Sequence, residues 1–220
     1  MPLGWVLYEA GRAMAHVYFP TSSIVSLLYE TEDGGSAEIA VAGFEGLVGI
    51  SLFMGGESTP SRALVQSAGE GYRIGAGAVK AEFARGGPLQ SLALRYTQSL
   101  ITHMAQTVVC NRHHALDQRL CRWLLASLDR LPDNDMKTTQ QLMADMLGVR
   151  RVGVTAAVGN LEAAGLIAYS RGHVTVLDRP ALERRVCECY RVVKREFDRL
   201  LPPLSRRVAA DAAPTAQAPR

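Results

Sequence analysis

Thr138 to Ile167 reads TTQQLMADMLGVRRVGVTAAVGNLEAAGLI. The stretch resolves into two helices and the turn between them. Thr138 or Thr139 suits an N-cap, because a hydroxyl there accepts a bond from an orphan backbone N–H two or three residues on. Leu142, Met143, Met146 and Leu147 follow at helical spacing. Ala144 is small where a second helix must cross closely, and Val149 plugs the turn. Gly148 can take the left-handed backbone that a tight turn needs. A second helix is predicted from about Arg150 to Ala164, with Val154, Ala157, Val158 and Leu161 inward and Arg150, Arg151, Thr155 and Asn160 outward. This is the helix-turn-helix plan, in which the second helix enters the DNA major groove.

A helical hairpin alone can mimic that plan. Here Gly165 ends the second helix, and Leu166 to Ser170 and His173 to Leu177 alternate as strands around an Arg171-Gly172 turn. That is a wing. The predicted DNA-binding residues are Thr138, Thr139, Gln140, Gln141, Arg150, Arg151, Val152, Thr155 and Arg171. Arg150 and the start of the first helix are placed for phosphates, which position a protein without reading sequence. Arg151, at the start of the second helix, can reach a guanine with two donors, while Val152, Thr155 or Ala156 can touch a thymine methyl.

Charge distribution agrees in direction. Residues 1–114 hold 7 Lys/Arg and 9 Asp/Glu, a net of −2; residues 115–202 hold 14 and 11, a net of +3; residues 203–220 hold 3 and 1, a net of +2. The basic excess therefore lies with the helix-turn-helix half and the tail, as phosphate attraction requires. No run of eighteen apolar residues occurs, so no membrane span is expected. The start, MPLGWVLYEAGR, lacks the basic region and long apolar core of a signal peptide. Cys110, Cys121, Cys187 and Cys189 are then expected as reduced thiols in a cytoplasm. No GxSxG, HExxH or P-loop motif appears, so an enzyme is not expected.

Val6 to Tyr8, Val17 to Phe19, Ile24 to Tyr29, Ala37 to Val41, Gly46 to Ile50, Arg62 to Ser67 and Tyr72 to Ile74 are rich in β-branched and aromatic residues. Clusters such as Asp33-Gly34-Gly35 and Gly69-Glu70-Gly71 separate them. Short strands with Gly turns predict a sandwich or jelly roll. Ala78 to Arg85 reads as a short helix. Pro88 opens a long one, since Pro is accepted in a first turn. Leu92, Tyr96, Ser99, His103 and Cys110 form one stripe of it; Leu94, Ile101, Met104 and Val108 form another. Two stripes imply burial on two sides. Leu92, Leu94, Tyr96, Ile101, Met104 and Val108 are the expected dimer contacts; an ordinary core helix of a monomer is the alternative.

Asn111 to His114 is the expected hinge, and Ala115 to Leu131 the first helix of the DNA-binding domain. Pro132 to Asp135 reads as a loop. After the wing, Asp178 caps one helix running to about Pro202. The fold class is α+β: a β-roll over 1–87, a dimerisation helix and hinge over 88–112, a winged helix-turn-helix domain over 113–202 and a disordered tail over 203–220.

The remaining histidines and cysteines do not suggest a metal site or a cofactor. His113 and His114, if helical, point about 100° apart. Cys187 and Cys189, if helical, also diverge, and their spacing is not the CxxC of zinc or redox sites.

TQQLMADMLGVRRVGVTAAVGNLEAAGLI, with the following RGHVTVLD, resembles the C-terminal domain of the cyclic-AMP receptor protein/FNR (Crp/Fnr) family of transcription regulators. The likeness extends more weakly over roughly residues 5 to 200. It implies an effector-sensing β-roll, a coiled-coil dimer helix, binding of double-stranded DNA as a homodimer, and RNA polymerase as a partner. Relative to that family the chain starts late, so either an edge of the sheet is open or the true start lies upstream. The family's phosphate-binding cassette falls on Leu47 to Gln66. Gly49 fits it, Ile50 stands where an acidic ribose ligand is expected, and Ser61-Arg62 replaces the Arg-Ser pair in reversed order. Gly49, Ser61 and Arg62 are thus the remnant of an effector pocket in a degenerate cyclic-nucleotide-binding-like domain. A pocket without the acceptor loses discrimination, so the effector is unknown. Of three polar base readers in the family's recognition helix, Arg151 matches the first; Val152 and Ala156 replace the others. The expected function is a sequence-specific transcription regulator. The alternative is a cyclic-nucleotide-binding module with a non-functional helix-turn-helix.

Overall fold

The computed structural model describes residues 1–202; the expected disordered tail, 203–220, lies outside the described residues. The chain begins with β1 (Val6–Tyr8), β2 (His16–Pro20), β3 (Ile24–Glu30), β4 (Ser36–Ala42), β5 (Arg62–Ser67) and β6 (Gly71–Gly75). An antiparallel sheet in the order β1-β5-β3-β4 faces the β2-β6 pair.

Strand β3 explains the layering. Successive side chains point to opposite faces. Val25 and Leu27 enter the core between the two sheets, with Val17, Ala42, Ala63 and Val65. Ile24 and Leu28 face the other way and join Val41 in the core of the C-terminal half. Both faces are covered, so every side chain from Ile24 to Leu28 is buried, the polar Ser26 included.

Gly46 to Ile50 is not a strand, contrary to expectation. Val48 makes a lone bridge with Tyr18. Gly49 takes φ 113°, and Ile50–Leu52 is a 3-10 turn. Gly46 lies against the Tyr96 ring, where a Cβ would sit 2.1 Å from a ring carbon. The segment follows the shape of the helix beneath it, not a strand ladder.

Helices α1 (Ala76–Ala84), α2 (Pro88–His113) and α3 (Leu116–Leu128) follow. The helix runs through Asn111–His113, so the break comes later than expected, at His114 and Ala115, whose backbones are extended. Then come β7 (Asp135–Lys137), α4 (Gln140–Leu147), α5 (Arg151–Ala163), β8 (Ile167–Ser170), β9 (His173–Val176), α6 (Arg179–Arg185) and α7 (Glu188–Leu200). Strand β7 occupies part of the expected loop and adds a third strand to the wing, in the order β7-β9-β8. The expected single C-terminal helix is two, because Val186 and Cys187 are extended. The breaks at His114 and at Cys187 bring Cys110, His114, Cys187 and Cys189 together. The expectation that these side chains diverge assumed unbroken helices and is corrected.

Helix α7 returns along α2. Phe197 meets Tyr96 and His103 edge to face, with centroids 6.3 and 6.2 Å apart. Burial, then the fields of Arg122 and Arg130, hold His103 well below its ordinary pKa. No helix among the described residues is long and apolar enough to cross a membrane.

Candidate DNA-binding face

Thr139 caps α4 by accepting from the Leu142 N–H at 3.1 Å. Gly148 ends the helix at φ 62°. A Cβ there would meet the Ala37 Cβ at 3.2 Å, so the left-handed backbone favours Gly148 and the space beside it is tight. Met143, Ala144, Met146 and Leu147 from α4 pack with Val154, Ala157, Val158 and Leu161 from α5 over Leu120 and Leu124 of α3. Helix α5 therefore has one buried face and one exposed face, fixed by its neighbours. Arg119 donates to the Leu147 carbonyl at the end of α4, a tie that spacing alone did not reveal.

The exposed face holds Arg150, the N-cap of α5, with Arg151, Val152 and Thr155. Val152 is 73% exposed, a large apolar side chain held in water beside two arginines. Thr155 donates to the Gln140 side-chain oxygen at 2.7 Å. Gln141 is exposed and donates to Asp145 at 2.8 Å. Thr138 is the exception: it is 3% exposed, so its side chain faces inward. Its backbone N–H donates to the Gly172 carbonyl at 2.8 Å and joins the wing to α4.

Arg171 has φ 50° and Gly172 φ 78°. Positive φ at both central residues makes a type I′ turn, the two-residue connection that matches strand twist. The turn carries Arg171 outward at the wing tip. Asp135 of β7 steadies the wing by accepting from the Thr175 hydroxyl at 2.7 Å and pairing with His173 at 3.1 Å. Those contacts, with burial negligible, hold the Asp135 carboxyl below its ordinary pKa. Among the described residues, Arg150, Arg151 and Arg171 form no ion pair, whereas Arg62, Arg130, Arg179, Arg185 and Arg199 do.

Each of the three effector-pocket residues has its own surroundings. Gly49 precedes the 3-10 turn. Ser61 is buried against Thr59 at 3.1 Å and Tyr8 at 3.5 Å. Arg62 pairs with Glu30 at 2.7 Å and Glu9 at 3.5 Å. A cavity of about 420 Å³ lies elsewhere, between Phe44, Ala126, Arg130, Tyr190 and Phe197. Its arginine is already bonded to Glu45 at 2.7 Å.

Of the six expected dimer residues, Leu94, Ile101 and Val108 are 53%, 52% and 69% exposed, and Leu92 is 40% exposed. Tyr96 is buried inside the protomer, and Met104 packs on the N-terminal core.

Residues 118–185 match the model of the Crp-like helix-turn-helix domain. No curated protein sequence matches the chain. Solved structures share the fold at low identity. FixK2 from Bradyrhizobium japonicum is similar with a TM-score of 0.72 and 15% identity, over 84% of this chain and 94% of that one. A CRP-family transcriptional regulator from Thermus thermophilus gives 0.69 and 19%, over 84% and 94%. A CRP/FNR-family regulator from the same organism gives 0.66 and 19%, over 84% and 95%. The face built from α4, α5 and the wing is thus the surface of a Crp-like helix-turn-helix domain, and the chain that carries it has the fold of the Crp/FNR transcription regulators.

Proposed function

We propose that the protein is a homodimer that binds two-fold symmetric duplex DNA sequence-specifically and regulates transcription, under a signal received by the N-terminal β-roll. The observation that carries this reading is that Arg150, Arg151 and Val152 at the start of α5 and Arg171 at the wing turn are all exposed, the three arginines without ion pairs among the described residues. Free cations on a rigid helix and a wing attract phosphates, and the helix start reaches base edges. The protein acts by binding, not by catalysis.

Dimerisation is supported by α2. Leu94, Ile101 and Val108 recur every seven residues and lie open to water. A seven-residue apolar repeat is the seam of a coiled coil, and a second copy of the helix is its natural cover. Two features count against the alternative, a cyclic-nucleotide module with an idle helix-turn-helix: Arg62 pairs with two carboxylates, and Ile50 offers no acceptor.

Duplexes selected from genomic fragments, titrated at several salt concentrations, test the proposal. Affinity should fall as salt rises, because bound phosphates release counterions. The selected site should have two symmetric half-sites roughly 34 Å apart. Equal affinity for the selected and a scrambled duplex at every salt concentration overturns it.

A further inference from the structure

Four ligating side chains from two distant segments meet at one point. Cys110 lies in the last turn of α2 and His114 caps that helix. Cys187 caps α7 and Cys189 lies in its first turn. Three sulfurs and one ring nitrogen lie within 4.8 Å of one another. Cys110 Sγ is 3.6 Å from Cys187 Sγ, and Cys189 Sγ is 3.6 Å from His114 Nδ1. An ion bound tetrahedrally at ~2.3 Å to sulfur and ~2.0 Å to nitrogen sets its ligand atoms about 3.5–3.8 Å apart. The two 3.6 Å separations match those edges, and the remaining ones, all within 4.8 Å, need a contraction of no more than about 1 Å to close on an ion.

A second observation is independent of the spacing. The other ring nitrogen of His114, Nε2, stands 3.4 Å from the Glu188 carboxylate. A histidine that ligates through one nitrogen typically passes its other N–H to a carboxylate, which fixes its orientation. Cys110, Cys187 and Cys189 are at most 3% exposed, which suits a closed structural site with no position for substrate. Neither the DNA-binding face nor the dimer stripe uses any of these residues.

The geometry points to a Cys3His site for one thiophilic divalent cation of the zinc class, held by Cys110, His114, Cys187 and Cys189. Thiolate and imidazole donors select such an ion over magnesium or calcium. Iron–sulfur clusters spread their thiolates over several irons, whereas these four donors converge on one point. Binding is balanced by proton release. Each thiol gives up its proton, the histidine binds neutral, and a divalent ion with three thiolates carries a net charge of −1. Cys110 and Cys187 stand 77 residues apart in the chain, so the ion joins the end of the dimer helix to the start of α7 and stiffens the elbow that carries the helix-turn-helix domain. The site stands whether or not the DNA-binding reading holds.

The test uses the full chain, reduced, stripped with a chelator and titrated with Co2+ and then Zn2+. The expected result is a sulfur-to-cobalt charge-transfer band with tetrahedral visible bands, saturating at one Co2+ per chain and bleached by one equivalent of Zn2+. Cys189→Ser and His114→Ala should lose the tetrahedral spectrum. Cys121→Ser, at a buried thiol outside the cluster, should keep it. Glu188→Gln should keep the stoichiometry and weaken Co2+ binding about 10–100-fold. Circular dichroism checks the fold of each variant, and the wild-type titration needs no variant at all. Folded, reduced wild-type protein with no charge-transfer band at one equivalent overturns the site. So does a band that survives in Cys189→Ser but is lost in Cys121→Ser.

Discussion

The Thr155 hydroxyl donates to the Gln140 side-chain oxygen across 2.7 Å, joining the outward face of α5 to the first residue of α4. The hydroxyl is therefore engaged within the protein, and only its methyl is offered to DNA. Thr155→Val keeps that methyl and removes the bond. Losing one hydrogen bond of this kind costs about 0.5–1.5 kcal/mol. It should weaken selected and scrambled duplexes alike by loosening α4 against α5. A loss confined to the selected duplex in anisotropy titrations identifies Thr155 as a base reader instead.

Arg151 and Arg150 should separate cleanly. Both are exposed, but Arg151 begins the helix while Arg150 caps it from an extended backbone. Arg151→Ala should cost about 1–3 kcal/mol on the selected site and relax preference at one base pair per half-site. Arg150→Ala should weaken all duplexes and lower the salt slope by roughly 1. Titration of both variants on selected and scrambled duplexes at two salt concentrations checks this. An equal loss on both duplexes for Arg151→Ala removes it as a reader.

The α2 stripe makes a third, independent prediction. Ile101→Glu with Val108→Glu puts two charges into the proposed seam. Burying unpaired charge costs several kcal/mol, while in the protomer both positions are more than half exposed. The variant should therefore be a folded monomer by sedimentation and circular dichroism, where the native chain is a dimer at micromolar concentration. A native monomer, or a dimeric variant, refutes the seam.

Cyclic AMP and cyclic GMP should not bind. An incoming phosphate would have to displace Glu30 and Glu9 from Arg62. Arg62→Ala should cost no more than about 1 kcal/mol of stability, since its partners are half exposed and such pairs are weak. Calorimetry that gives a micromolar constant for either nucleotide refutes this.

The helix-turn-helix domain was legible in the sequence because its signals are local. Gly148, the apolar spacing of α4 and α5 and the Arg171-Gly172 turn each act within a few residues. The long helix was legible too, but not which side each residue faces. Tyr96 and Leu94 are alike as apolar letters, and tertiary packing, with Gly46 and Phe197 against the tyrosine ring, buries only the first. The Cys/His cluster was hidden for another reason. Helical geometry makes Cys187 and Cys189 diverge, and the break that defeats it, at Val186, carries no Gly or Pro. Beyond that break α7 packs back along α2, through contacts such as Phe197 with Tyr96. Thr138 shows the same limit. A cap position read locally does not reveal that the wing covers it.

Glu38 gives the stability a defined pH dependence. It lies on β4 and accepts from the Ser26 hydroxyl at 2.6 Å. Beside it, the Gln66 amide donates to Ser127 of α3 at 3.0 Å across the junction of the two halves. Burial pushes the Glu38 carboxyl from 4.5 up to about 7, against the Ser26 hydrogen bond and the fields of Arg122 and Arg130. Between those two values the folded protein binds the proton more tightly than the unfolded chain. This contribution is present in full below about pH 4.5 and is lost as pH rises through about 7. Glu38→Gln stays neutral throughout and removes the dependence. Relative to wild type, the variant should gain about 1–2 kcal/mol between pH 5 and pH 8, less than the full shift implies because the residue keeps some contact with water. His103, held neutral, pulls in the opposite sense and destabilises the fold as pH falls below its ordinary value. It is common to both proteins and cancels in the difference. Denaturant unfolding of both at the two pH values measures that difference. Parallel pH profiles for the two proteins mean that Glu38 is not the group that titrates.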